Sequence, residues 1–461
     1  MVLSALSCGF TYGHLTGLIR ALHKQEDGIQ VNEGQISLLA VCMTFCSVIG
    51  MILLGIFGER LGRRWSISLF SIPMLTNWVI MYYTNGFITL LISRILAGIS
   101  LGGLATLNLV TAAEFTTPKS RALVQSLVSM VAPALGTSSG HILGVIIHWK
   151  HLCIVGVVIS ILHLCLPYFW IESPQWLASK GRFDDCEKAF RKLHGINPKS
   201  EDELSLLIKI EGNKQKRAKE LNKNTEIKKV FSAFQKKYFW KIMLTNCMIY
   251  LYYSAAGKVI FSNLATVMLE EMTGTADILF FTLLVDGFIV VGTCASIILI
   301  RKMSIRVLLF SSGFVSNGIL IALSACLYFK NSEMYFQWIN VALLAIYFII
   351  VHAGPYPVME VLLGELFPLD IKLFCFLLST PALVATVCTG IVLMPVLVGF
   401  IGYHGLFLLN SAIAFICLAY FWISLPETKG KTLQEIELYF KSNNKFDEGR
   451  ITSNEQIKDF I

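Results

Sequence analysis

Apolar residues run through this chain in long blocks, with polar residues gathered between them. A bilayer-crossing helix needs about 20 mostly apolar residues. Blocks of that length predict helices over 1–22, 35–57, 65–84, 88–113, 122–147 and 151–171. A polar stretch, 172–238, interrupts the series, which resumes over 239–269, 277–300, 307–329, 338–366, 373–401 and 405–425 before a polar tail, 426–461. The first block lacks the basic leader and small-residue cleavage site of a signal peptide, so it reads as a membrane helix with little or no polar preface. The pattern predicts an all-α multi-pass membrane protein with 12 transmembrane helices in two pseudo-symmetric six-helix halves. The domains are then an N-terminal bundle 1–171, a linker 172–238 of short amphipathic helices, a C-terminal bundle 239–425 and a tail 426–461.

Composition sharpens this. Of 461 residues, 55% are hydrophobic and 15% charged, against a usual charged share of about 25%. A soluble globule of this length has nowhere to hide so much apolar surface. The net charge of +8 sits mainly in alternate junctions: Arg60, Arg63 and Arg64; Lys119 and Arg121; Arg301, Lys302 and Arg306; and Lys372. The linker adds Lys214, Lys216, Arg217 and Lys219. By the positive-inside rule these junctions, the linker and both termini belong in the cytosol. Most of the twelve cysteines, such as Cys42, Cys46, Cys247 and Cys417, lie inside apolar runs without metal-ligand spacing. No phosphate-binding G-x-x-x-x-G-K-[ST] loop is present, which excludes an ATP-driven pump of that type. No catalytic triad is legible either. The expectation is a non-enzymatic carrier without metal or cofactor. Its partners are the lipid bilayer and a small-molecule substrate, with no nucleic acid and no obligatory protein partner, and it acts as a monomer.

The two halves repeat. After the fourth helix of each half an acid is followed seven residues later by a base with a proline between them: Glu114, Pro118 and Arg121 in the first, Glu365, Pro368 and Lys372 in the second. Glu59 to Arg64 after helix two answers Arg301 to Arg306 after helix eight. Parallel repeats of this kind place a substrate site near the bilayer midplane, between the halves.

Gly55-Ile56-Phe57-Gly58-Glu59-Arg60-Leu61-Gly62-Arg63-Arg64 resembles the G-x-x-x-D-R-x-G-R-R loop of the major facilitator superfamily, with Glu59 in the place of aspartate. Arg94 with Gly98, followed by Gly102 and Gly103, is similar to that family's helix-four R-x-x-x-G pattern. Glu172-Ser173-Pro174-Gln175-Trp176-Leu177 resembles P-E-S-P-R-W-L, with Ile171 for the first proline, and Pro426-Glu427-Thr428-Lys429-Gly430 matches P-E-T-K-G. Together these span nearly the whole chain and point to the sugar-porter branch, near facilitated transporters of trehalose and glucose. The resemblance implies a major facilitator fold, alternating access and a plasma-membrane location. It also implies a cytosolic gate in which Glu59, Arg60, Arg63, Arg64, Arg94, Glu114 and Arg121 bridge helices, supported by Glu172, Glu365, Lys372 and Glu427.

The substrate path departs from the family. Thr11 stands where proton-coupled relatives carry an aspartate; a hydroxyl does not exchange protons at useful pH, so facilitated diffusion is expected. His14 is the nearby titratable group, with a packed or pore-lining role set against coupling. Ser129 replaces a binding glutamine. Tyr252, Tyr253 and Ser254 fall in the helix-seven sugar motif, where only the serine matches. Gly354, Pro355 and Pro357 resemble a helix-ten G-P-x-P break. Three charges lie within apolar runs, where charge is costly and faces the bundle interior: Lys258, Asp286 and Glu360. Lys258 and Asp286 are expected to pair beside the cavity, and Glu360 to join the gate. The function expected is transport of a sugar, trehalose or a hexose. The alternatives are a carrier of another small polar or anionic solute, attracted by Lys258, and a membrane sensor that does not transport.

Overall fold

A bilayer core offers no water to backbone N–H and C=O groups, so apolar blocks close their own hydrogen bonds as helices. The computed structural model describes residues 1–23, 29–220, 234–258, 261, 278–329, 334–367 and 372–441. The end of the expected 239–269 helix, Pro368 and the tail beyond Lys441 lie outside them. The described residues form helices and no strand.

The first half comprises α1 (Val2–His23), α2 (Glu33–Tyr82), α3 (Phe87–Phe115), α4 (Arg121–Ile146) and α5 (Trp149–Phe169). Three polar-junction helices follow: α6 (Pro174–Ser179), α7 (Phe183–His194) and α8 (Pro198–Glu220). The second half comprises α9 (Lys237–Ala255), α10 (Ile278–Lys302), α11 (Ile305–Tyr328), α12 (Met334–Ala353), α13 (Pro355–Glu365) and α14 (Lys372–Ser424); α15 (Leu433–Lys441) ends the described chain. Long α2 and α14 each make two passes, turning at Gly62 (φ 85°) and Gly402 (φ 66°). The loops expected at 58–64 and 402–404 are therefore single glycines in a conformation that disfavours a side chain. With α12 and α13 forming one broken pass, six passes lie on either side of the linker helices.

Small residues set how closely the helices approach. Gly9, Gly13 and Gly17 on α1 face Gly136, Gly140 and Gly144 on α4, and a methyl group on Gly9 would stand 2.0 Å from the Pro133 carbonyl oxygen. A four-residue repeat of glycines on both partners lets backbones touch, which replaces the hydrophobic drive that lipid removes. Gly98 and Gly102 of α3 dock the same way onto Met43 and Ser47 of α2. Outward-facing positions stay apolar, such as Ile154, Val158, Ile161 and Leu162 on α5, as a lipid-facing surface requires.

The linker helices have a small core of their own, in which Trp176, Leu177, Cys186, Phe190, Leu204 and Leu207 pack together. Lys214 bridges Glu211 at 2.8 Å and Glu437 of α15 at 3.3 Å. The side of the molecule carrying these helices and the basic junctions is called the basic side below.

Candidate functional site

Three clusters of polar side chains stand out, at three depths. The first lies on the basic side. Gly62 interrupts α2, which frees the N–H groups that begin its second pass. Glu172 accepts them: its Oε1 lies 2.9 Å from Arg63 N, and its Oε2 3.3 Å from Arg64 N. Burial raises the Glu172 carboxyl above its ordinary range, against the opposing pull of those N–H groups. Arg63 then turns inward and grips Glu114 through two nitrogens at 3.0 and 2.9 Å, with Glu59 at 3.4 Å. Ser173 adds a 2.7 Å bond to Glu114. A paired, forked contact of this kind is the strongest form of arginine–carboxylate recognition. Arg64 reaches the Tyr168 carbonyl at 2.8 Å, while Arg60 is exposed.

The second half repeats the arrangement. Glu427 accepts Ile305 N at 3.1 Å and Arg306 N at 3.0 Å, and Arg306 reaches the Trp422 carbonyl at 2.9 Å. The carboxylate contacts between halves on this side are longer: Arg121 to Glu365 at 3.7 Å and Leu373 N to Glu59 at 3.4 Å. Arg121 also donates to the Lys431 carbonyl at 3.0 Å, and Gln434 to Gln175 at 3.0 Å. Lys372 is fully buried within electrostatic reach of Glu114 and Glu365.

Arg94 does not belong to this cluster. It lies 20 residues before Glu114 on the same helix, roughly 30 Å away at 1.5 Å per residue. There it forms the second cluster, fully buried, with its Nη2 3.1 Å from His14 Nδ1 and 3.3 Å from Met81 Sδ. His14 Nε2 faces the Trp149 carbonyl at 3.0 Å. Since arginine only donates and a carbonyl only accepts, the ring must be the neutral Nε2–H tautomer. His14 is thus a packed histidine edge-on to Trp78, away from the cavity. Thr11 is likewise turned inward, donating to the Ser7 carbonyl at 2.9 Å and to Met74 Sδ at 3.5 Å. The next residue, Tyr12, takes the cavity position that the sequence reading gave to Thr11.

The third cluster is that cavity, of about 400 Å³, at mid-depth between the halves. Tyr12, Ser129 and Thr137 line it from the first half; Tyr250, Tyr253, Ser254 and Thr386 line it from the second. Ser129 lies in a five-residue π-helical bulge, Leu127–Val131, just before Pro133, which has no N–H to continue the ladder. Tyr252 is not a lining residue; it is buried against Phe421. Gly354, Pro355 and Pro357 also lie outside the lining. Gly354 marks the break between α12 and α13, and a methyl group there would meet Ser312 Oγ at 1.9 Å.

The two charges lining this cavity among the described residues are Lys258 and Glu360, and they pair with each other. This corrects the expected partners. Asp286 pairs instead with His141 of α4, at 2.5 Å, and Glu360 faces the cavity, away from the basic-side cluster. Sequence depth counting failed here because α9 stops early. It ends at Ala255, and Gly257 takes φ 70°. Gly257 N donates to the Ser254 carbonyl at 3.0 Å and Lys258 N to the Tyr253 carbonyl at 3.0 Å, the paired bonds of a Schellman cap. Tyr347 and Tyr356 hydroxyls donate to the Ala256 carbonyl at 2.7 and 2.6 Å. A helix end inside a membrane is tolerated only with its backbone groups satisfied in this way. The cap swings Lys258 over the Tyr253 ring, 4.0 Å from its centroid.

Two six-helix halves around a mid-depth cavity, with a layer of ion pairs on one side of it, define a membrane carrier of the major facilitator fold. The chain belongs to the sugar (and other) transporter family, whose profile matches residues 2–440; it is a transporter and not an enzyme. The facilitated trehalose transporter Tret1 of Polypedilum vanderplanki is 27% identical over 426 residues, which are 88% of this chain and 80% of that protein. Tret1 of Drosophila virilis is 26% identical over 454 residues, 94% of this chain; the match spans only 47% of that longer relative. Among solved structures, the proton:xylose symporter XylE bound to 6-bromo-6-deoxy-D-glucose matches with a TM-score of 0.79 at 18% identity, over 95% of this chain and 97% of that one. At that identity the likeness speaks to the fold.

Proposed function

We propose that this chain carries a neutral sugar, trehalose or a hexose, by facilitated diffusion and alternating access. We also place it in the plasma membrane, with the basic side, both termini and the linker helices in the cytosol. The observation that carries the reading is the cavity between the halves, where serine, threonine and tyrosine side chains share the lining with apolar ones such as Leu101, Leu363 and Phe376, and which has no net charge among its described lining residues. Its volume falls within the range of about 300–1,000 Å³ usual for small-molecule sites. Because Glu360 cancels Lys258, the lining offers no spare positive charge to an anionic solute. Hydroxyls and aromatic faces suit a polyhydroxylated ring instead.

Passive transport is supported from the same side chains. Thr11 and His14 are locked in hydrogen bonds away from the cavity. No carboxylate or imidazole of the first half lines it among the described residues. The roles of the basic-side cluster follow from state preference. Ion pairs that exist only while that side is closed hold the carrier open to the other side, and pairs equal in both states shift nothing.

The test is uptake of labelled trehalose, glucose and fructose into vesicles, with and without a pH gradient. Saturable uptake of at least one sugar, at a rate indifferent to the gradient, is expected. Uptake driven by the gradient overturns the passive mechanism. No uptake of any of the three by correctly inserted protein overturns the sugar reading.

A further inference from the structure

We propose that Lys258 and Glu360 form a substrate-binding dyad that recognises two neighbouring hydroxyls of the transported sugar. The inference rests on the sugar-carrier reading above and names a contact within that site.

Among the ion pairs described in the membrane part of the molecule, this one has both members in the cavity lining; His141 and Asp286, at 11% and 13% side-chain exposure, lie outside it. Arg63 and Glu114 are sealed, with side-chain exposures of 2% and 1%; Lys258 and Glu360 retain 26% and 15%, and both line the cavity. Placing two charges at mid-membrane carries a desolvation cost that an apolar pair would not. The fold nevertheless supplies dedicated architecture for them. A Schellman cap built on Gly257, the residue before Lys258, ends α9, and the Tyr253 ring packs against the ammonium. Glu360 lies on α13, beyond the break at Gly354. A lock between halves does not explain the pair, because α9 and α13 belong to the same half.

The chemistry fits a diol. Lysine has three donors and a carboxylate accepts at two oxygens, so one mutual bond leaves capacity on both. An adjacent donor and acceptor, a hydrogen-bond length apart, match the neighbouring oxygens of a vicinal diol. One hydroxyl accepts from Lys258 while the other donates to Glu360. Hydrogen bonds to charged groups in a dry cavity are about twice as strong as neutral ones.

The test is a cycle between ligand hydroxyls and side chains, on the purified full-length chain, using labelled glucose and each of its monodeoxy analogues in competition. Two analogues lacking adjacent hydroxyls are expected to bind wild type roughly ten- to hundredfold more weakly than glucose. With Glu360→Gln, glucose itself weakens and the penalty for those two analogues shrinks to within about threefold, while the other analogues keep their wild-type ranking. Glu360→Asp keeps the charge and shortens its reach. It carries the same comparison if the glutamine variant does not fold, and the same collapse of the two penalties is expected. Analogue rankings unchanged in both variants would make the dyad a structural pair and overturn the proposal. Failure of wild type to bind any sugar overturns both this inference and the reading beneath it.

Discussion

Two glycines separate the cost of backbone conformation from the cost of space. Gly257 and Gly430 both hold positive φ, at 70° and 81°. A methyl group at Gly430 meets nothing within 4 Å, whereas one at Gly257 would stand 2.2 Å from the Phe261 ring. Gly430→Ala should therefore cost only the left-handed backbone term, about 1–2 kcal/mol. Gly257→Ala adds a steric term of about 1–3 kcal/mol and displaces the cap that aims Lys258. Thermal unfolding in detergent should show a clearly larger loss for Gly257→Ala, accompanied by weakened sugar binding, with binding nearly unchanged for Gly430→Ala. Equal losses at both positions would mean the cap is not what holds that region. The same scale shows where sequence reading stopped. The motif at Thr11 was legible, but which of Thr11 and Tyr12 faces the cavity depends on the rotation of α1, fixed by its glycine contacts with α4.

At the scale of elements, each half repeats one device: a carboxylate from the junction after its last helix caps the N-terminus of its third. Glu172 caps the second pass of α2 and Glu427 caps α11. The repeat of charged junctions along the sequence announced that the halves correspond. It did not announce the caps, because the acceptor and the N–H groups it serves lie 109 residues apart in the first half. The expected loop at 58–64 shrank to Gly62 for the same reason, since a distant carboxylate satisfies the groups a longer loop would have exposed to water. Glu172 also predicts a pH effect. Its carboxyl is raised in the folded protein, mainly by burial, so the folded state binds the proton more tightly than the unfolded state does. This contribution to stability is present below the ordinary carboxylate range and is lost as pH rises through the raised folded value. Thermal stability of wild type, followed against pH across that window, should carry this falling component. Glu172→Gln should lack it while wild type and variant share the rest of the profile. An identical slope in the two proteins would place the proton elsewhere.

Across the whole molecule, the two halves meet on the basic side through carboxylate contacts unlike those inside each half. The short forked bonds, Arg63 to Glu114 at 2.9 and 3.0 Å, stay within the first half. On the basic side the carboxylate contacts that cross are longer, at 3.7 Å for Arg121 to Glu365 and 3.4 Å for Leu373 N to Glu59, whereas away from that cluster His141 and Asp286 cross at 2.5 Å. In a carrier whose halves rock as rigid bodies, such a division would let the tight bonds keep each half intact while the long ones part. The two kinds of bond should respond differently when cut. Arg63→Ala leaves Glu114 buried without its partner, and loss of one member of a buried pair typically costs about 3–5 kcal/mol; it should lower the unfolding temperature sharply. Glu365→Gln leaves Arg121 its carbonyl acceptors at Ala113 and Lys431, so stability should change little while the closed basic side loses population. Cys375 is a native reporter of that change, fully buried on the first turn of α14 beside the Leu373 contact. Its rate of maleimide labelling, read on the Cys375 peptide by mass spectrometry, should rise severalfold in Glu365→Gln at an unchanged unfolding temperature. An unchanged labelling rate would mean that the long bridges between halves do not hold the basic side shut. The closed state would then rest on the apolar packing of α2 against α14, where Gly55 and Gly58 meet Leu377 and Leu373.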